Sequence, residues 1–371
     1  MRLPVRAVIY FYIFICVVLL LFNLLYIFRS GSVKRRQKRR VHRWETYLDS
    51  FLEGSPVWDS GELLRRLKDT EELIAFCAAM ESQKDTHPEA AARFFLENRP
   101  LVLELAGVYQ KKDAMEQAFY AYVIASFYPS VGDKGNPLAE QLLSYLEGST
   151  VYSRENVLNA LYALGSAQSV EHAFVLMSQR GWYHDPRLLS DGLTRFQGDQ
   201  DALAHRLWKN RRQLSECFQV GLIRFADTLS DDSFAEDFLK TLETEQLPAE
   251  TRFALVRYFR RHAVPHAKPV LLRLLRGDAE GKRDLSIAAA ASLASYPDSE
   301  TRQALKDALH SQNWYVRQNA ARSLKAMGVT WEEVQTSSGR DRYAADMLKY
   351  IFEVPSAAAG HKKEREALAA V

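Results

Sequence analysis

The most pointed chemical signal in this chain of 371 residues is an arginine that returns at one place in successive segments. Arg195, Arg224 and Arg257 each take the fourth position of a related motif: Gly192-Leu-Thr-Arg-Phe196, Gly221-Leu-Ile-Arg-Phe225 and Ala254-Leu-Val-Arg-Tyr258. A guanidinium is a planar fork of donors that fits carboxylates and phosphates. A row of three can therefore meet an anionic partner surface, a phosphate or an acidic peptide. The other reading is internal, with each arginine braced against an acidic side chain or helix end of the next segment. A second basic feature is the run Lys34, Arg35, Arg36, Lys38, Arg39 and Arg40. Such a run suits either nucleic acid or an anionic lipid surface, where each charge gains about 1 kcal/mol.

Other residue sets are less specific. His262 and His266 have the spacing of metal ligands on a helix, but Pro265 lies between them and no cysteine or carboxylate joins them locally. They read as solvated histidines at a helix junction. Asp231-Asp232 and Glu332-Glu333 read as residues that cap helices and complement their dipoles. The aromatics Phe119, Tyr120, Tyr122, Phe127 and Tyr128 read as core. Cys16, Cys77 and Cys217 are far apart and outside any Cys-x-x-Cys pair, so they are read as reduced, with neither disulfide nor zinc. There is no Gly-rich phosphate loop, no Gly-x-Ser-x-Gly elbow and no His-Glu-x-x-His helix. Neither an enzyme nor a cofactor nor a metal is expected.

The charge distribution says where the basic run must act. Residues 1–43 carry ten Lys and Arg and no acidic residue, which leaves 39 basic and 46 acidic side chains beyond them, a net of −7. Ala7 to Phe28 is a run of 22 residues with no charge and one strongly polar member, Asn23. As a helix it spans about 33 Å against a hydrocarbon core of about 30 Å. It is too long for a signal peptide's apolar region and lacks the small residues of a cleavage site. The expectation is an uncleaved transmembrane helix, with Tyr10, Tyr12 and Tyr26 toward its ends. Two arginines precede it and eight Lys and Arg follow within residues 29–43, so the amino terminus faces outward and the remainder the cytoplasm. The basic run begins six residues after the span, which favours lipid over nucleic acid.

The rest of the chain must be helical. Breakers such as Pro100, Pro129, Gly148, Gly165, Gly181, Pro186, Gly198, Pro248, Pro265, Gly277, Pro297 and Gly328 divide it into helix-length segments, with no run of strands. Val157, Gly192, Gly221, Ala254, Ala289 and Ala320 recur at spacings of 35, 29, 33, 35 and 31, each followed four residues later by a larger apolar residue. Small residues let helices approach closely, and a period in this range marks stacked helical hairpins. Residues 44–99 are helical but off the period, in segments at Trp44–Leu52, Glu62–Lys68, Glu71–Met80 and Ala90–Leu96.

Asn313-Trp-Tyr-Val-Arg-Gln-Asn-Ala-Ala-Arg-Ser-Leu324 resembles the second helix of a HEAT repeat through Val316, Arg317, Ala320, Ala321 and Leu324, with Asn313 replacing the family's acidic residue. The resemblance is specific at 313–328, fair at 149–165 and 281–297, and looser elsewhere within 100–330. It implies an all-α, right-handed α-α superhelix, a HEAT-like solenoid, here preceded by one transmembrane helix. The expected division is 1–28 membrane helix, 29–43 polybasic segment, 44–99 stalk and cap, 100–330 repeats, 331–355 capping helix and 356–371 loose tail. The resemblance further implies that second helices line a concave, macromolecule-binding side, which would carry the arginine row. The expected function is a membrane-anchored scaffold at the inner membrane, its solenoid cytoplasmic, that binds a protein partner and contacts anionic lipid. A bacterial envelope or polysaccharide-export system is its suggested setting, to which no residue speaks. Some relatives of this fold repair DNA, and others are bilin lyase-like enzymes. The net charge of −7 argues against nucleic acid, and no substrate-specific residue points to the enzymes.

Overall fold

The computed structural model describes residues 5–130, 136–229, 232–277 and 283–353, and among these it is helical, with no strand. The chain divides into two compact units. Unit 1 comprises 1–173 with 195–199, and unit 2 comprises 174–194 with 200–371. The expected tail 356–371 and Asp231 lie outside the described residues.

Unit 1 contains α1 (Val5–Leu52), α2 (Ser60–Leu67), α3 (Thr70–Gln83), α4 (Glu89–Glu97), α5 (Arg99–Tyr109), α6 (Ala114–Phe127), α7 (Pro137–Leu143) and α8 (Val151–Leu164). Asp59, Asp69, Asp113 and Asn136 start α2, α3, α6 and α7, and each accepts a hydrogen bond from a backbone N–H of the first turn. Each such cap is worth about 1 kcal/mol. Gly165 ends α8 at φ +73°, and a Cβ there would lie 2.6 Å from Ser130 Oγ. The helical segments expected within 44–99 correspond to the end of α1 and to α2, α3 and α4. Trp44, Tyr47, Phe51, Phe76 and Phe94 form a buried aromatic core there, with Tyr47 stacked on Trp58 at 4.8 Å. Tyr109, Tyr120 and Tyr145 continue the core, and each donates its hydroxyl to a backbone carbonyl, of Leu67, Val102 and Ala106 respectively. That settles the one polar atom these rings bury. Phe127 and Tyr128 are buried, Phe119 is half-buried and Tyr122 is exposed.

One expectation is revised in α1. The polybasic stretch is no separate segment, since a single helix runs from residue 5 through residue 52. Arginine, lysine and glutamine are good helix formers, so nothing in the run breaks the helix. Among the described residues no helix is long and apolar enough to cross a membrane. Of the apolar run 7–28, the side chains of 10–24 are described and exposed, while those of 7–9 and 25–28 lie outside the described residues.

The division between units falls inside α9 (Ala167–Gln179). Unit 2 continues with α10 (Pro186–Leu193), α11 (Gln200–Lys209), α12 (Glu216–Ala226), α13 (Ala235–Thr244), α14 (Ala249–Tyr258), α15 (Ala267–Leu275), α16 (Arg283–Ser292), α17 (Ser299–Ala308), α18 (Trp314–Ala326), α19 (Trp331–Val334) and α20 (Arg342–Glu353). In each pair α13/α14, α15/α16 and α17/α18 the first helix packs on the second, and α10, α12, α14, α16, α18 and α20 pack in succession. The small residues Gly221, Ala289 and Ala320 are buried between these helices, as are Phe225, Leu293 and Leu324 four positions on.

Burial moves the register at one step. In α14 the fully buried pair is Leu255-Val256, matching Ala289-Ala290 of α16, whereas Ala254 matches Ala288. The structural interval there is 34 residues, one less than the sequence comparison gave. Side-chain bonds follow the corrected register: Ser292 Oγ donates to the Val256 carbonyl at 2.8 Å and Ser323 Oγ to that of Ala290 at 2.7 Å.

A Cβ on Gly221 would stand 2.9 Å from Leu189 Cβ and 3.2 Å from the Pro186 carbonyl oxygen. Leu189 Cβ and that oxygen move only with α10 itself. Gly221→Ala should therefore lower stability by about 1 kcal/mol net, because overpacking outweighs the roughly 1 kcal/mol that alanine gains in a helix. Gly107→Ala, in α5 with no atom within 4 Å of its Cβ, should raise stability by about 0.5–1 kcal/mol. Thermal melting of both variants checks the pair. A stabilised Gly221→Ala would show that α10 and α12 are not in close contact.

Candidate functional site

Two basic surfaces were expected to carry function, and their side chains behave differently. On α1, Lys34, Arg35, Arg36, Lys38 and Arg39 are exposed, and among the described residues none has an ion-pair or hydrogen-bond partner. Arg40 departs from the expectation that it belongs to a lipid-facing set. It is turned into the fold, ion-paired to Glu71, and its Nε lies 3.3 Å from Glu72 Oε1. The hydrogen bond to Glu71 holds its guanidinium in the charged form even more firmly than usual. Arg43 reaches the same Glu72 oxygen at 2.9 Å, and Trp44 Nε1–H donates to the other at 2.9 Å. Glu72 is thus a buried acceptor that receives three residues of α1. Charge alone could not separate Arg40 from its neighbours. The separating signal is helical spacing, since Arg40, Arg43, Trp44 and Tyr47 share one helical face, the one that meets α3.

The arginine row also divides. Arg195 belongs to unit 1, where its Nη2 donates to Asn159 Oδ1 at 3.1 Å and lies 3.9 Å from Glu155 on α8. That is the internal bracing considered above. Arg224 and Arg257 belong to unit 2, both exposed, and among the described residues neither has an ion-pair or hydrogen-bond partner. Both line one groove of about 220 Å³ between α12 and α14, with Val220, Ile223, Phe253, Ala254 and Tyr258 as its apolar walls. A second groove of about 490 Å³ shares Val220, Arg224 and Glu250 with the first and runs on to Trp182, Tyr183, Pro186 and Cys217.

The acidic side chains of this region are mostly engaged. Glu216 accepts the backbone N–H of Glu250 at 2.8 Å. Asp227 accepts from Arg261 at 3.1 Å and lies 3.6 Å from His262 Nε2. Burial raises the Asp227 carboxyl above its ordinary pKa, and the charges of Arg261 and His262 oppose that. His262 is the clearest correction to the reading of solvated histidines. It is buried, its Nδ1 is 2.6 Å from Asp232 Oδ1, and its ring stacks on Tyr258 at 4.1 Å. Asp232 accordingly serves His262 and is no cap of α13, whose cap position is Phe234. His266 stays exposed, 3.4 Å from Glu236. Glu333 does cap, completing a reciprocal box with Thr330 at the start of α19. Cys77 is buried, which pushes its thiol up to about 12, and Cys217 is half-buried at the rim of the second groove.

The groove lies on the paired helices whose repetition the sequence suggested. Residues 235–325 match the model of the HEAT repeats family. The matched stretch is α13 to α18, three successive helix pairs, and α14 supplies one wall of the groove. The match suggests a helical-repeat scaffold for protein interaction. No curated protein matches the chain.

Glu72 is the acceptor that Arg43, Trp44 and Arg40 of α1 share on α3. Glu72→Ala should cost about 2–3 kcal/mol, chiefly by orphaning the buried Trp44 N–H, while Arg40 keeps Glu71 and the half-exposed Arg43 recovers water. Glu71→Ala, whose carboxylate is exposed, should cost less than about 1 kcal/mol. Chemical denaturation followed by Trp fluorescence reads both, and equal losses would show that Glu72 is no clamp.

Proposed function

We propose that the chain is a membrane-tethered helical-repeat adaptor that holds a protein partner beside the cytoplasmic leaflet of the cell membrane. The observation that carries the reading is α1. One helix contains the apolar run, then the exposed Lys34, Arg35, Arg36, Lys38 and Arg39, which have no partner among the described residues, and then Trp44, Tyr47 and Leu48 sunk in the core of unit 1. An uncharged run of 22 residues supports a membrane span, and the basic side chains that follow support both its orientation and contact with anionic lipid. The HEAT repeats and the open groove of unit 2 support the adaptor role. Tethering concentrates a partner at the membrane with no new contact.

The anchor is tested by alkaline carbonate extraction of membranes, which should leave the chain in the pellet. Release into the supernatant would end the anchored reading. Protease added to intact cells should spare the carboxy-terminal part. Changing Lys34, Arg35, Arg36, Lys38 and Arg39 together to Gln should expose that part in a fraction of molecules, because the remaining charge bias no longer fixes the orientation. Cleavage of the unmodified chain without lysis would reverse the assigned topology.

A further inference from the structure

The two grooves of unit 2 share Val220, Arg224 and Glu250, so they are one surface with a polar middle and two apolar ends. Arg224 and Arg257 offer guanidinium donors with no partner among the described residues. Glu216 and Asp227 are already occupied, by the Glu250 N–H and by Arg261 with His262. The carboxylate of Glu250, by contrast, has no partner among the described residues. The surface therefore asks for a ligand with acceptors for two arginines, at least one donor for a carboxylate, and apolar side chains at its ends. Inorganic phosphate has nothing for the apolar ends. A nucleic acid presents a continuous anionic backbone that Glu250 and Glu216 repel. An extended peptide with acidic side chains supplies every element: carboxylates for the arginines, backbone N–H groups for Glu250 and an apolar residue for the pocket beside Tyr183. Tyr183 is 65% exposed there and is free to cover such a residue.

We infer that this groove binds an acidic linear segment of the partner protein, with its carboxylates on Arg224 and Arg257 and an apolar side chain against Tyr183 and Pro186. The inference rests on the adaptor reading and gives its partner a chemistry. Arg257 corresponds to Ala291 of α16 in the register that burial defines, so the pair of charges ends at that step. The segment should accordingly run from α14 toward α10, away from α16.

The test uses the full chain in detergent micelles and three short fluorescent peptides, one alternating Glu with Leu, one Glu with Ser and one Lys with Leu. Anisotropy should show binding of the Glu-Leu peptide, several-fold weaker binding of Glu-Ser, and none of Lys-Leu. Arg224→Gln and Arg257→Gln should each weaken Glu-Leu binding about tenfold. The melting temperature should stay unchanged, and Arg→Lys at both positions should restore part of the affinity. Tyr183→Ala should bring Glu-Leu down toward Glu-Ser. No binding of Glu-Leu, equal binding of Lys-Leu, or an unaffected double Gln variant overturns the inference. So does displacement by millimolar inorganic phosphate, or equal binding of a single-stranded oligonucleotide, since either marks a plain anion site. A photo-crosslinking residue at Phe253 in native membranes separates this from the adaptor reading. A protein captured there, alongside failed peptide binding, leaves the adaptor and overturns the acidic segment. No capture overturns the use of this face, and the inference with it.

Discussion

A helical hairpin with one apolar side has no use for that side until another hairpin covers it, and in unit 2 the covering is done by second helices laid against one another. How closely they can lie is decided by a few atoms. Gly221 admits Leu189 of α10 because it has no Cβ to place there. Ser292 and Ser323 reach backbone carbonyls of the preceding second helix, and Asn319 Nδ2 donates to the Ile287 carbonyl at 2.9 Å. A helix carbonyl has a second lone pair free after its helical bond, so these contacts join neighbours without unwinding either. They also fix rotation about each helix axis. Once Leu255 and Val256 face inward, Arg257 must face outward, and Arg224 follows from Leu222 and Ile223 in the same way. The exposure of the two guanidiniums, which have no partner among the described residues, is a consequence of core packing one residue away.

Unit 1 obeys a different constraint. Its core begins on a helix that is already long when it arrives. From Phe28 to Trp44 the chain rises about 24 Å at 1.5 Å per residue, all within α1. The spacer between the apolar run and the first core residue is a helix, with a stiffness no Gly/Ser linker has. Arg40, Arg43 and Trp44 converge on Glu72 of α3, so the basic face of α1 keeps a fixed rotation relative to the aromatic core.

What the sequence disclosed follows from how local each signal is. Caps and breakers are read within a few residues, and the helices of 44–99 and the helix at 342–353 appear close to where those signals put them. The small-residue period was legible through Gly221, Ala289 and Ala320, all buried. The slip at Ala254 arose because an alanine can stand in or beside the seam, and only the burial of Leu255 shows which it does. The partners of Arg40 and His262 escape a local reading of the sequence for one reason. These partners, Glu71 and Glu72 for the first and Asp232 and Asp227 for the second, lie about thirty residues away in sequence, on the neighbouring element of the stack. Side chains that bridge repeats are invisible to any window shorter than the repeat. The HEAT match to 235–325 falls where three small-residue hairpins follow without interruption, and the looser resemblance upstream has Val157 and glycines at the corresponding places.

The His262 network bears directly on what the groove can do. His262 stacks on Tyr258, which is a wall of the groove, and its two ring nitrogens face Asp232 and Asp227. Asp227 also lines the groove and is held by Arg261. One wall is therefore set by a buried ring stack and the other by helix packing at Val220 and Ile223, so the arginines project from a surface with little freedom to rearrange. A preformed groove spares its ligand the cost of ordering the receptor and leaves only the ligand's own ordering to be overcome. That cost is heavy for a flexible segment, at roughly 0.5–1.5 kcal/mol for each immobilised side chain. For the proposed acidic segment, two charge-assisted contacts and one apolar anchor would offset that cost only in part, so the proposal implies a weak, reversible association. On the proposed membrane-tethered reading, weak contacts would suffice, because effective concentration would supply what the contact itself lacks.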